Sequence, residues 1–441
     1  MNMNGLPKLS LFPQTAEVND RGHLCVGGCD VVNLAEQFGT PLYLLDEYTL
    51  RNRCREFKRE FSLCYPDSQV VYASKAFLNQ KMALVVKEEG LGIDVVSAGE
   101  LSIACSVDFP LSAAYFHGNN KTRQEMEMAL DCGVNCIVLD NLYELDLLEG
   151  LLSKKERSQR VMVRINPGVD PHTHRHTSTG ILDSKFGFPL SNGQAADAVK
   201  LIVAAPNLEL TGFHFHLGSP LFELEPYLLA IELVLSLAAE LKNKLDFQLK
   251  DFSVGGGFAV QYVMGDEAPS IADYARSLSG KVKDYCSSLG LTLPRLIVEP
   301  GRAIVAQAGV ALYKVGAIKE IPGVRKYVCV DGGMSDNIRP ALYDAKYETL
   351  VANKVTDMEN ETVTIAGKLC ESGDILARDA KLAAISSGDI IAIPVCGAYS
   401  IPMSSNYNSM PRPAIVLLNK GKSKIIRKRE SYYDLIRLDM I

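Results

Sequence analysis

The chain has 441 residues, 47% of them hydrophobic and 22% charged, enough for two domains with a substantial core. A net charge of −6 excludes nucleic acid as the main partner and gives no strongly electrostatic membrane surface, which leaves small-molecule chemistry as the expectation. Eleven cysteines with no CxxC pair predict reduced thiols, most of them small buried hydrophobes, in a cytoplasmic protein.

The first twenty residues, MNMNGLPKLSLFPQTAEVND, lack the basic region and apolar core of a secretory signal. No membrane span is expected either: LAIELVLSLAAEL, 229–241, carries acids and is too short. After about 45 residues of mixed character, short apolar runs begin to alternate with amphipathic stretches. The runs are VVYAS (70–74), IDVVS (93–97), AAYFH (113–117), CIVLD (136–140), VMVRIN (161–166), LTGFHFH (210–216), DFSVGG (251–256) and RLIVEP (295–300). Helical patterns fall between them, in LNQKMALVVKEEG from near Leu78, TRQEMEMALDCG, NLYELDLLEGLL, PYLLAIELVLSLAAEL and SIADYARSLSGKVKDYCSSLG. Eight strand–helix units predict a (β/α)8 barrel over 46–305; a doubly wound sheet competes, and the count of eight favours the barrel.

Beyond about residue 305, β-type runs separated by Gly, Pro, Asn and Asp take over: VALYKVGAI, KYVCVDGG, ETVTIAGKL, DIIAIPVC and AIVLLNKGK. They predict a largely antiparallel β domain over 306–441, to which 1–45 adds a strand. The fold class is therefore α/β, a TIM barrel plus a C-terminal mainly antiparallel β domain.

Active sites of such barrels lie at the C-terminal ends of the strands. Those ends carry Lys75, Asp94, His117, Asp140, Arg164, His214, His216, Gly255 to Gly257, and Glu299 with Arg302. Alone, Lys75 reads as surface charge. The glycines read equally as a tight turn or as a cradle of backbone N–H groups for a phosphate, and they match neither GxGxxG nor the P-loop. Together with the EPGR carboxylate and arginine, a pyridoxal phosphate site accounts for all three features: Lys75 as covalent anchor, the glycines and Arg302 at the phosphate, Glu299 at the ring nitrogen. A carboxylate there keeps the ring protonated and strongly electron-withdrawing, which favours decarboxylation over racemisation. HTHRH, 172–176, has alternate spacing in a polar loop and no accompanying Cys or Asp cluster, so no metal is expected.

The motifs YASKAF, HGNNKT, RINPGVDPHTHRHTSTG, SKFGF, FHFHLGS, VGGGF, EPGR, DGGMSDNIRPALYDAKYE, GKLCESGDIL, GAY and MSSNYNSMPRPA run from about residue 70 to 413. In them the chain resembles the fold-type III, alanine-racemase-like decarboxylases that depend on pyridoxal phosphate. The resemblance implies Lys75 and Cys370 as catalytic residues, the second as proton donor. It implies a cofactor site of Lys75, Asp94, His216, Ser219, Gly255, Gly256, Gly257, Glu299, Gly301, Arg302 and Tyr399, with His216 stacked on the ring. Substrate would be held by Arg302, Arg339, Tyr343, Glu371 and Tyr399, and Cys370 with Glu371 would serve the partner's site in a homodimer. Arg339 and Glu371 suit the remote carboxylate and ammonium of a substrate with two amino-acid ends, which ornithine lacks. The implied reaction converts meso-2,6-diaminopimelate to L-lysine and CO2, the last step of lysine biosynthesis. Another diamino acid or conjugate is the alternative substrate, and a non-catalytic relative the alternative class. Pro220 and Cys396 depart from the family pattern, where Gln and Thr are usual.

Overall fold

The structure, a computed structural model, describes residues 6–154, 157–170 and 183–440. The histidines of HTHRH, His172, His174 and His176, lie outside the described residues. Two compact units divide the chain: one holds 54–259 and 268–301, the other 1–53, 260–267 and 302–441.

In the first unit, β1 (Ser68–Ala73), β2 (Gly92–Val95), β3 (Ala114–Phe116), β4 (Cys136–Leu139), β5 (Gln159–Asn166), β6 (Leu208–His214), β7 (Asp251–Ser253) and β8 (Arg295–Val298) pair in parallel, each with the next. β8 then pairs with β1, Leu296 opposite Ser68, and closes the ring. The expected barrel is present, with all eight runs as its strands. They read as continuous apolar runs because a parallel sheet is covered on both faces: every residue of β2 and β4 is buried. Val71, Tyr115, Cys136, Val138, Met162 and Ile297, from five different strands, pack as one cluster. Gly212 interrupts the register of β6 against β5, and a side chain there would collide with the Asp251 carbonyl of β7.

Caps set the helix ends. Thr122 and Glu125 form a reciprocal capping box at the start of helix Arg123–Cys132, and Gly133 ends it at φ 75°. Ser270 and Asp273 do the same for helix Ile271–Ser288. The helix after Lys75 begins later than Leu78 suggests, at Gln80, because the Asn79 side chain caps Met82 N–H. Lys75 itself lies in a 3-10 turn, Ser74–Ala76.

The second unit is built on a sheet in the order Ile375–Ala383, Glu359–Ala366, Arg325–Val330, Gly309–Ile321, Leu42–Asp46, Ala414–Asn419, Lys422–Arg427, with Ile390–Ile393 on Gly309–Ile321. The strand expected from the N-terminal region is Leu42–Asp46, and it is central. It pairs antiparallel with Gly309–Ile321 and parallel with Ala414–Asn419. A second parallel pair, Arg325–Val330 with Glu359–Ala366, is the other exception to antiparallel pairing among the described residues of this unit. Leu42, Leu44, Val310, Leu312, Ala392 and Val416 lie in its core.

Candidate active site

At the C-terminal ends of the barrel strands a buried polar cluster centres on Glu299, just past β8. Ser253, ending β7, donates its hydroxyl to Glu299 Oε1 at 2.7 Å, and His214 Nε2, ending β6, lies 3.2 Å from Oε2. His117, following β3, places Nε2 3.6 Å from Oε1, and the two imidazoles meet edge to face at 4.7 Å. Burial works against charge on Glu299, but the adjacent His214 and His117 and the bonds from His214 and Ser253 outweigh it and hold the carboxyl well below its usual range. Burial pushes both histidines down while Glu299 opposes it, so the carboxylate and the two imidazoles titrate as one interacting cluster. His117 Nε2 and His214 Nδ1 are buried with no hydrogen-bond partner. Such a carboxylate, with lone pairs still available, suits a protonated heterocyclic nitrogen; three donor atoms within 4.8 Å of one another would also suit a cation.

Around this centre stand the other strand-end residues. Lys75 is exposed on its turn. Asp94, ending toward the same rim from β2, is buried and accepts from Ser74 N–H at 3.2 Å; burial raises its pKa well above the carboxylate range, Lys75 opposing and Glu299 adding to the rise. Arg164 on β5 lies 3.7 Å from Asp140 and stacks on Phe186 at 4.4 Å. His216 is half-buried and accepts from Gly256 N–H through Nδ1 at 3.3 Å. Burial, then the positive charge of Lys75, pushes its pKa well down, so it is a neutral ring.

Gly255, Gly256 and Gly257 are required by packing in their own right. A side chain on them would collide with the carbonyls of Phe215, Glu299 and Gly218 respectively, and Gly255 and Gly257 have φ of 69° and 111°. Gly301 packs its Cα against Ala73 and Ala76, beside the Lys75 turn. Ser219 is exposed, and the Ser219–Pro220 peptide is cis.

A second set lies in the β unit. Arg302, buried, donates Nη1 to the Tyr262 hydroxyl at 2.7 Å and stacks on Tyr399 at 4.8 Å. Arg339, buried at the start of helix Arg339–Tyr343, donates to the Tyr347 hydroxyl and lies over the Tyr262 ring at 4.6 Å. Tyr399 has φ of 59° in the turn that follows Gly397, and Gly397 is pressed against the Val305 carbonyl. Cys396, one of the departures, is a buried thiol whose pKa burial raises. Tyr343 is 61% exposed. Cys370 and Glu371 are exposed on one loop, Cys370 N–H bound to Asn408 Oδ1 at 2.9 Å.

Ser253, Tyr262, Tyr347 and Asp374 escape the sequence reading. Lys121 stood inside the HGNNKT motif without a role; it is 1% exposed, pairs with buried Glu144 at 2.9 Å and donates to the carbonyls of Gly118 and Val138. That pair ties the loop after β3, which carries His117, to the end of β4.

The closed parallel barrel with its buried carboxylate–histidine cluster is that of a pyridoxal-dependent decarboxylase, as the match to a family model shows. The family model described as pyridoxal-dependent decarboxylase, pyridoxal binding domain, matches residues 47–306. Within that class the chain belongs to the diaminopimelate decarboxylase family. It is 45% identical over 426 residues to diaminopimelate decarboxylase of Bacillus subtilis, covering 97% of each chain, and 42% identical to that of Synechocystis, covering 99% of this chain and 94% of the other. The solved structure of diaminopimelate decarboxylase from M. jannaschii in complex with L-lysine matches with a TM-score of 0.92 at 35% identity, over 99% of both chains.

Proposed function

We propose that the protein decarboxylates meso-2,6-diaminopimelate to L-lysine and CO2, as a cytoplasmic homodimer whose barrel, 46–305, is the pyridoxal-phosphate-binding domain, with 1–45 and 306–441 as its β domain. One observation carries the choice of substrate. Arg339 is 7% exposed, its ring neighbours are tyrosines, and among the described residues no carboxylate pairs with it. A buried guanidinium without an acid is suited to receive one from a ligand. A diamine-forming decarboxylase acting on ornithine would have no remote carboxylate to give it.

When bound, pyridoxal phosphate supplies an electron sink for the electrons left by the departing CO2. The residues fit that group. Lys75, exposed on a turn just past β1, would anchor it covalently; Glu299, held ionised, would face the ring nitrogen; His216, kept neutral, would lie against the ring. Asp94 would face Lys75, and Ser219, Gly255 to Gly257, Gly301, Arg302 and Tyr399 would surround the phosphate. The substrate's remote end would be held by Arg339, Arg302, Tyr343 and Tyr399, with Glu371 taking the remote ammonium. Cys370, whose thiol is exposed, would return a proton to the carbon that loses CO2, acting together with Glu371 on the partner subunit's substrate. Among the described residues no helix is long and apolar enough to cross a membrane.

Chromatography of the products tests the reading. Cofactor-loaded protein is incubated with meso-diaminopimelate, and separately with ornithine and with lysine. Lysine formed from diaminopimelate alone is expected. Diamines from the other two substrates at a comparable rate, or no lysine at all, would overturn it.

A further inference from the structure

Two guanidinium groups share one tyrosine. Arg302 donates to the Tyr262 hydroxyl at 2.7 Å with its Cζ 5.7 Å from the ring centroid, and the Arg339 guanidinium lies 4.6 Å from the same centroid. Tyr347 completes the group: its hydroxyl accepts from Arg339, and its ring meets that of Tyr262 edge-on, at 5.3 Å and 89°. Tyr262 is itself fixed. It is 6% exposed, its N–H donates to Asp266 Oδ2 at 2.8 Å, and its carbonyl accepts from Glu348 N–H at 3.4 Å.

Two like charges on long side chains repel and have many rotamers, so holding both against one tyrosine needs a cause. The ring supplies it, with a phenol oxygen for one guanidinium and a negative face for the other. Each arginine places an Nη1 donor on a tyrosine hydroxyl, and a guanidinium presents its donors in a planar fork that matches a carboxylate. We infer that Tyr262 is a positioning residue that gathers Arg302 and Arg339 into one double-arginine clamp for the substrate's remote carboxylate, and so sets specificity for a ligand that has one.

The inference rests on the proposed substrate reading, but its test does not need turnover. Product and its decarboxylated analogue differ at the relevant group: L-lysine retains a carboxylate and cadaverine has none. Dissociation constants of both are measured by calorimetry on the cofactor-loaded wild type, Tyr262→Phe and Tyr262→Leu. Tyr262→Leu is expected to weaken lysine by about tenfold or more and cadaverine by less than about twofold. Tyr262→Phe, which keeps the ring and loses only the acceptor, should fall between. Equal weakening of both ligands, or no change for lysine, overturns the inference. Thermal midpoints of the loaded variants show whether a loss is merely structural, in which case both ligands weaken together and Tyr262→Phe gives no graded recovery. If the wild type does not turn over diaminopimelate, the substrate reading fails separately, while the lysine-to-cadaverine ratio still decides the role of Tyr262.

Discussion

Asp374 accepts a hydrogen bond from the backbone N–H of Leu369 at 2.9 Å, across the base of the loop that carries Cys370 and Glu371. Its other oxygen accepts from Met334 N–H at 2.6 Å, so one carboxylate ties that loop to the DGGMSDNIRP segment. Gly333 and Gly367 make room, since a side chain on either would collide with it. Asp374→Asn turns one acceptor into a donor facing an N–H, a buried mismatch expected to cost about 1–3 kcal/mol. Amide exchange at Leu369 and Met334 should quicken in this variant, the urea midpoint should fall, and Gly367→Ala should copy it. Unchanged exchange at both amides would remove Asp374 as the anchor.

Lys121 and Glu144 form a buried pair whose members also bond backbone: Glu144 accepts from the N–H groups of Lys121 and Asp140. Lys121→Met leaves the carboxylate buried and unpaired, which is expected to cost about 3–5 kcal/mol, read as a lower urea midpoint. The double variant Lys121→Met with Glu144→Gln should recover part of that loss, giving a coupling of at least about 1 kcal/mol in a double-mutant cycle. Additive losses would mean that the two side chains act independently.

The barrel was legible because strands covered on both faces of a parallel sheet are mostly apolar, as VVYA, IDVV, AYF and CIVL are, and because eight such runs alternate with amphipathic segments. The helix Ala98–Cys105 was not, because AGELSIAC is built of small residues and only Leu101 and Ala104 are buried. Lys75, Glu299 and the glycines could be placed from their positions at strand ends, since strand polarity alone fixes which rim they share. Tyr262 gave no such signal: its partner Arg302 is forty residues away, and a tyrosine after a glycine-rich turn reads as packing. Contacts between side chains from distant segments are set by tertiary structure, and neither periodicity nor local spacing encodes them.

Asp336 gives a pH dependence. It is buried, its carboxylate accepts from Tyr313 hydroxyl and Gly333 N–H at 2.8 Å each, and burial raises its pKa to about 7. In the unfolded chain an aspartate titrates near 4. Between these values the folded state binds more protons than the unfolded state, so this residue's contribution is present below about pH 4 and is lost as pH rises through about 7. The slope integrates to a few kcal/mol at most, roughly 1.4 per pKa unit. Asp336→Asn should remove it, so the variant's urea midpoint gains on the wild type's between about pH 4 and 7. Parallel curves would place the carboxyl's pKa near its ordinary value.

Cys370 and Glu371 are exposed on their loop, whereas Lys75 lies on the barrel rim. If each site takes Lys75 from one subunit and Cys370 from the other, two inactive variants can repair each other. Lys75→Ala and Cys370→Ala homodimers are each expected to lose most of their activity, the second in kcat more than in KM. Dissociated and reassociated at equal concentration, they form hybrids with one site carrying both lesions and one carrying neither. Random pairing then restores about a quarter of wild-type activity, as expected for a symmetric dimer with shared sites. If both residues of a site come from one chain, every site in the mixture keeps one lesion and no activity returns. Sedimentation of the mixture at the assay concentration establishes that dimers have formed, so a missing recovery then counts against shared sites and not against assembly.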